Sequence, residues 1–282
     1  MVRKLIIFIA ILALTTLACG FNIDLPQRQQ PGPEVVDDIN VPYPSADEVN
    51  LKLSFGAGEM TLSPGGSALV DGTAAYNYTE FKPEIVKDGG DVQVRMGDGD
   101  VNFLPSMDDL KNEWDFKLGE KPMNLTVESG AYDGSFEFGG LALTSLTIKD
   151  GAANVNLAFS EPNQAEMDVF TYSTGASDVK MEGLANANFS IFDFSSGAGN
   201  YTLDFSGELQ RDASIKIETG FSNLIIIVPE GVNAVATVES GVSNVNAGSG
   251  WGQSGGTYKQ KGEGYTLTFV IEMGAGNLTL TK

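Results

Sequence analysis

The chain writes one short phrase over and over, and that repetition limits its fold more than any other feature. "ETGFSNLII" and "ESGVSNVNA" are two nearly identical copies. Aligned on one glycine there are nine: Gly56, Gly97, Gly130, Gly151, Gly175, Gly197, Gly220, Gly241 and Gly274, spaced by 41, 33, 21, 24, 22, 23, 21 and 33 residues. Three residues before each stand Leu53, Val94, Val127, Ile148, Tyr172, Phe194, Ile217, Val238 and Ile271, all apolar. The position two residues earlier is apolar throughout as well, and the residue between is mostly polar or small. Alternation resumes after the glycine, with apolar residues four and six positions on, as in Val155 and Leu157; only Gly134 interrupts it. Period-two patterning describes strands with one buried face.

Three residues after each glycine comes Glu59, Asp100, Asp133, Asn154, Asp178, Asn200, Asn223, Asn244 or Asn277. Glycine accepts the positive φ of a sharp bend, and Asn or Asp bonds nearby backbone. Each unit therefore reads as strand, bend, strand, and such a unit hides its apolar face only by stacking on neighbours. A spacing near 22 residues predicts an all-β, single-domain β-solenoid, with asparagines from Asn200 to Asn277 stacked as an amide ladder along one edge. The alternative is an antiparallel β-meander or sandwich, because a Gly-x-x-Asn loop also closes hairpins.

Three stretches interrupt the rhythm. "YNYTEFKPEIVKDGG" reads as an inserted strand-loop excursion. In "SMDDLKNEWDFKLGEKP", Ser106 is placed to cap a short helix over Leu110 and Trp114. A Gly-rich loop before Gly274 carries Trp251 and Tyr258, aromatics suited either to loop packing or to stacking on sugars.

The N-terminus reads differently. Positive "MVRK", the apolar run "LIIFIAILALTTLA" and "LACG" have the layout of an export signal. Cys19 is the chain's one cysteine, so no internal disulfide is available, and Thr16-Leu17-Ala18-Cys19 resembles a bacterial lipobox. Residues 1–18 are expected to be a lipoprotein signal peptide, 19–48 a flexible tether held to the membrane by lipid on Cys19, and 49–282 the repeat domain.

Composition excludes several functions. With 17 basic against 37 acidic residues, the net charge of −20 repels nucleic acid, and the absence of histidine removes imidazole bases and most zinc sites. Oxygen ligands for calcium are the one metal alternative, at Asp98, Asp100 and Asp133, with Asp100 and Asp133 expected to stack in adjacent coils. No catalytic residue and no cofactor is expected. Some β-helix proteins process acidic polysaccharides, but few arginines remain here to hold a polyanion.

"FGAGEMTL", "NEWDFKL", "LALTSLTIKDGAANVNLAF" and "SSGAGNYTLDF" together resemble the toast-rack family, and through it the LiaF-like envelope proteins and adhesin-like repeat proteins. The resemblance implies a stack of β rungs and a non-enzymatic role at the cell envelope. Joined to the lipobox reading, it leads us to expect an interaction module on the outer face of the membrane, with cell-wall glycan or an envelope protein as its partner. Alternatives are envelope-stress sensing through a membrane sensor, and carbohydrate binding or polysaccharide processing.

Overall fold

A computed structural model describes residues 27–97, 103–105 and 110–282. Five long strands form its middle: β9 (Met123–Glu137), β10 (Leu143–Ala158), β11 (Met167–Glu182), β12 (Phe189–Asp204) and β13 (Ala213–Ile227). Each carries a bend glycine near its centre and pairs in parallel with the next, as Leu125–Leu146–Phe170–Phe192–Ile215 aligned across the five strands. Parallel pairing excludes the meander, whose neighbours would be antiparallel. The protein is an all-β solenoid. Each coil runs down one arm, turns at the glycine, runs up the second arm, and returns through a short segment that buries residues such as Phe138, Phe159 and Phe205.

Alternation puts one face of each arm inside. Leu125, Val127, Ile148, Val155 and Leu157 are buried, as are the equivalent residues of β11, β12 and β13, and together they make one continuous core. In-register stacking carries into the aromatics: Phe170 and Phe192 stack with centroids 4.5 Å apart, and Tyr172 lies over Phe194 at 5.7 Å. Each such side chain removed from water contributes about 1.5–3 kcal/mol.

The bend glycines answer to a different need than positive φ, which none of them adopts. They are set by close approach. A Cβ on Gly197 would stand 2.5 Å from the carbonyl oxygen of Gly175, one on Gly220 2.5 Å from that of Gly197, and one on Gly151 2.9 Å from that of Gly130. The bends stack backbone on backbone, and any side chain would force the coils apart. Positive φ appears two residues later, at Gly58 (135°), Gly199 (150°) and Gly276 (131°).

At the N-terminal end, β3 (Asn50–Pro64) lies beside β9 and contains Gly56. The next coil is divided between two strands, β6 (Asp91–Met96) on the first arm of β3 and β8 (Asn112–Leu118) on the second. Met60 and Leu62 are therefore aligned with Trp114 and Phe116, and not with the residues four and six beyond Gly97. Of those, Val101 lies outside the described residues, and Phe103 belongs to β7 (Phe103–Pro105), which pairs with β1 (Gln27–Gln29). Gly97 thus ends a strand instead of bending one. The helix expected over Leu110 and Trp114 is replaced: Ser106 falls outside the described residues, and Trp114 is a buried strand residue.

The inserted excursion forms β5 (Pro83–Asp88), and β4 (Val70–Tyr76) leads into it; the two strands lie antiparallel on β6 and β8 respectively. Outside β4 lies β2 (Val35–Val41), with Ile39 and Val41 buried. This corrects the tether boundary, since residues 35–41 are a sheet strand whose alternate side chains complete the core.

At the other end, chain order and stacking order part. The final strand, β17 (Gly262–Thr281), is inserted between β13 and β14 (Gly231–Ala247). The Gly-rich stretch between them forms β15 (Trp251–Ser254) and β16 (Thr257–Gln260), a hairpin laid antiparallel over the first arm of β14. Trp251 and Tyr258, one on each strand of the hairpin, are buried, so of their two readings the structure shows loop packing. Loop packing wins because both rings complete the core at the end of the stack.

Candidate functional surface

With the apolar faces turned inward, whatever this protein contacts meets the outward columns. Two residues before the bends, one column runs in stacking order Ser54, Glu128, Lys149, Ser173, Ser195, Glu218, Glu272, Glu239. Glu128 accepts from Lys52 Nζ at 2.7 Å and lies 3.9 Å from Lys149 Nζ; Glu218 pairs with Lys216 at 2.8 Å. A shallow trough of about 810 Å³ follows this column, with hydroxyls at one end and carboxylates at the other.

The hydroxyls are tied to one another and to the bends. Ser195 Oγ donates to Ser173 Oγ (2.9 Å), Thr174 and Ser177 share a hydrogen bond across one bend, and Thr219 and Ser222 do the same across another at 2.8 Å. Beneath them, Tyr172 donates to Asp150 (2.7 Å) and Ser177 donates to its other oxygen (3.3 Å). Burial, with the Asp150 charge adding to it, pushes the Tyr132 and Tyr172 hydroxyls above the ordinary tyrosine range. Such groups stay neutral at physiological pH and hold the bends together as a polar cluster within the apolar stack.

Three residues beyond the bends, the acid-amide column runs Glu113, Glu59, Asp133, Asn154, Asp178, Asn200, Asn223, Asn277, Asn244. Asn154 donates to Asp133 (3.1 Å) and Asn200 to Asp178 (2.6 Å). The predicted asparagine column is present, with Asn277 and Asn244 exchanged by the insertion of β17. Of the residues of the calcium alternative, Asp98 and Asp100 lie outside the described residues, and Asp133 has Glu59 and Asn154 as its column neighbours; among the described residues no three His, Cys, Asp or Glu residues cluster to hold a metal. Cys19 also lies outside the described residues.

Of the nine bend glycines, the eight other than Gly97 fall in one register. The Asp150–Tyr172–Ser177 cluster was missed by sequence reasoning. Its one visible signal was a tyrosine in an apolar column, which reads as core.

Comparison with known proteins agrees with this geometry. The family model of the N-terminal domain of toast_rack (DUF2154) matches residues 30–173, half of the chain. No curated protein matches significantly. A solved structure of a candidate cell adhesion protein from Clostridium sporogenes is 21% identical with a TM-score of 0.52, covering 89% of this chain and 99% of its own. A candidate adhesin from Bacteroides fragilis is 11% identical over the same shares, with a TM-score of 0.48. The first of these shares the fold.

Proposed function

The chain belongs to the toast-rack N-terminal domain family, and from that premise we propose that it is a non-enzymatic, adhesin-like lipoprotein. On this reading it is held to the outer face of the cell membrane through lipid on Cys19 and meets cell-wall glycan or an envelope protein with its stacked outer faces. One observation carries the reading: every long strand repeats the same outward positions at the coil spacing, so the molecule presents ordered columns of hydroxyl, amide and carboxylate groups. A periodic array suits many weak contacts with a repetitive or extended partner, which add through effective concentration. The Clostridium protein named for cell adhesion shares the architecture, which supports the same role.

Sheet order supports the orientation. β2, the first strand of the long sheet after the proposed anchor, lies at one end of that sheet, and β14 with its hairpin lies at the other. A chain anchored at Cys19 would project its last coils away from the membrane.

The test has two arms. Metabolic labelling with an alkyne fatty acid should mark the wild-type chain and leave Cys19→Ser unmarked. The acylated chain should retain cell-wall glycan or an envelope protein in a pull-down without releasing product from a polysaccharide panel. Labelling of Cys19→Ser, or turnover of any polysaccharide, would overturn the reading.

A further inference from the structure

The last coil is covered over only part of its length. β16 pairs with Ala234–Thr237, and the Val238 N–H donates to the Gly256 carbonyl (2.9 Å) at the hairpin's turn. From Glu239 to Ala247, no strand lies on the outer side of β14 among the described residues. The core is correspondingly open: Val245 and Ala247 are half-buried, whereas their partners Leu278 and Leu280 on β17 are fully buried.

This edge lacks the usual guards. Outer strands at the opposite end carry charge, Asp37 and Asp38 on β2 and Glu84, Lys87 and Asp88 on β5. "SGVSNVNA", from Ser240 to Ala247, has neither a charge nor a proline, in a chain of net charge −20. Charges and prolines are what keep free strand edges from pairing.

We propose that the open arm of β14 pairs antiparallel with the same arm of a second copy, across a two-fold axis at Val245. Residues opposite one another on antiparallel strands face the same way. Setting Val245 against itself puts Asn244 opposite Asn246, both exposed, and Ser243 opposite Ala247. Val245 then meets Val245 on the core-facing side, and Asn244 meets Asn246 on the exposed one. A one-residue slip would set Asn against Val and is disfavoured. No charge enters the paired segment, so the strongly acidic copies meet at a neutral strip.

The axis places the two chain starts at opposite ends of the pair, because β2 and β14 end the sheet on opposite sides. Two copies joined in this way would bridge two surfaces. This last step rests on the anchoring reading; the pairing does not. Five residues make a weak contact singly, strengthened where many copies face one another.

Sedimentation equilibrium of the full chain tests the pairing. Wild type should show a concentration-dependent dimer, and Asn244→Lys/Asn246→Lys should weaken it at least tenfold with an unchanged melting temperature, since both positions are exposed. Val245→Cys in a Cys19→Ser chain should give a disulfide-linked dimer on mild oxidation. A wild type that stays monomeric, or a dimer indifferent to the lysines, would overturn the proposal. Vesicles carrying the chain through Cys19 separate the two readings. Dimers in solution without vesicle clustering would remove the bridging role and leave the pairing, and an acylated but monomeric chain would remove the pairing, and bridging with it, and leave the anchoring.

Discussion

Between β9 and β13 every coil repeats its neighbour, whereas the two ends of the stack break the pattern in different ways. In the middle, glycine sits on glycine and ring on ring, and β10, β11 and β12 each find both partners in their own sequence neighbours. At the N-terminal end a coil is divided between β6 and β8 and closed by antiparallel strands. At the C-terminal end the last strand slips inside the one before it, and the outermost arm is left half uncovered. A repeat specifies its interior through backbone contact; its ends need separate devices, and those devices decide what the molecule can touch.

The sharpest way to break this contrast is at the bends. Gly197→Val should cost about 3 kcal/mol or more, enough to lower the thermal midpoint severely, because its Cβ would lie 2.5 Å from the Gly175 carbonyl. Gly241→Ala meets the Gly274 carbonyl at 2.7 Å, but β14 has a free side toward which to move, so its loss should be less than half as large. Equal losses at both sites would contradict the distinction between middle and end.

Core truncation should come next. Phe192→Ala, inside the stack, should cost about 3–5 kcal/mol in denaturant unfolding. Trp251→Ala should cost less and act locally, with hydrogen exchange rising over residues 251–260 and not over β11 and β12, because the ring caps the end hairpin instead of joining two coils.

A pH titration probes the buried tyrosines, most of all those of the middle. Burial holds Tyr132 and Tyr172 neutral, with folded pKa values above the ordinary 10. Their contribution is intact below pH 10 and is lost as pH rises beyond it, by about 1.4 kcal/mol per pH unit for each tyrosine still neutral in the fold. Melting temperature should hold steady from pH 7 to about pH 9.5 and then fall, with a shallower fall in Tyr132→Phe. At the N-terminal end, Tyr76 is pushed up to about 12 by burial and by its hydrogen bond to Asp37, and it should add to the same alkaline loss.

The smallest effect belongs to the exposed amide column. Asn200→Ala loses a bond to Asp178 and should cost about 0.5 kcal/mol, and Asn244→Ala, at the open end, close to nothing in stability measurements.

The interior was legible because its rule is local: two alternating runs about one glycine, repeated. The same text did not reveal why glycine is required. Positive φ and close approach both select glycine, and only coordinates separate them. The ends were illegible for a related reason. Trp114 and Phe116 fill a coil begun some twenty residues earlier at Val92 and Val94, and β17 displaces β14 from its sequential place. Both are long-range pairings that leave no periodic trace. Val35–Val41 read as tether because its pattern is short and flanked by prolines, yet antiparallel pairing with β4 was enough to order it.

Stacking order is the most direct test of the architecture. Spin labels on cysteines replacing Asn154 and Asn277, and separately Asn154 and Asn244, in a Cys19→Ser chain, would report distances along one column by double electron–electron resonance. With coils about 4.8 Å apart, four and five steps give about 19 Å and about 24 Å. Asn277 should be the nearer to Asn154 although it comes later in the chain; a shorter distance to Asn244 would contradict the inserted last coil and the open edge that follows from it.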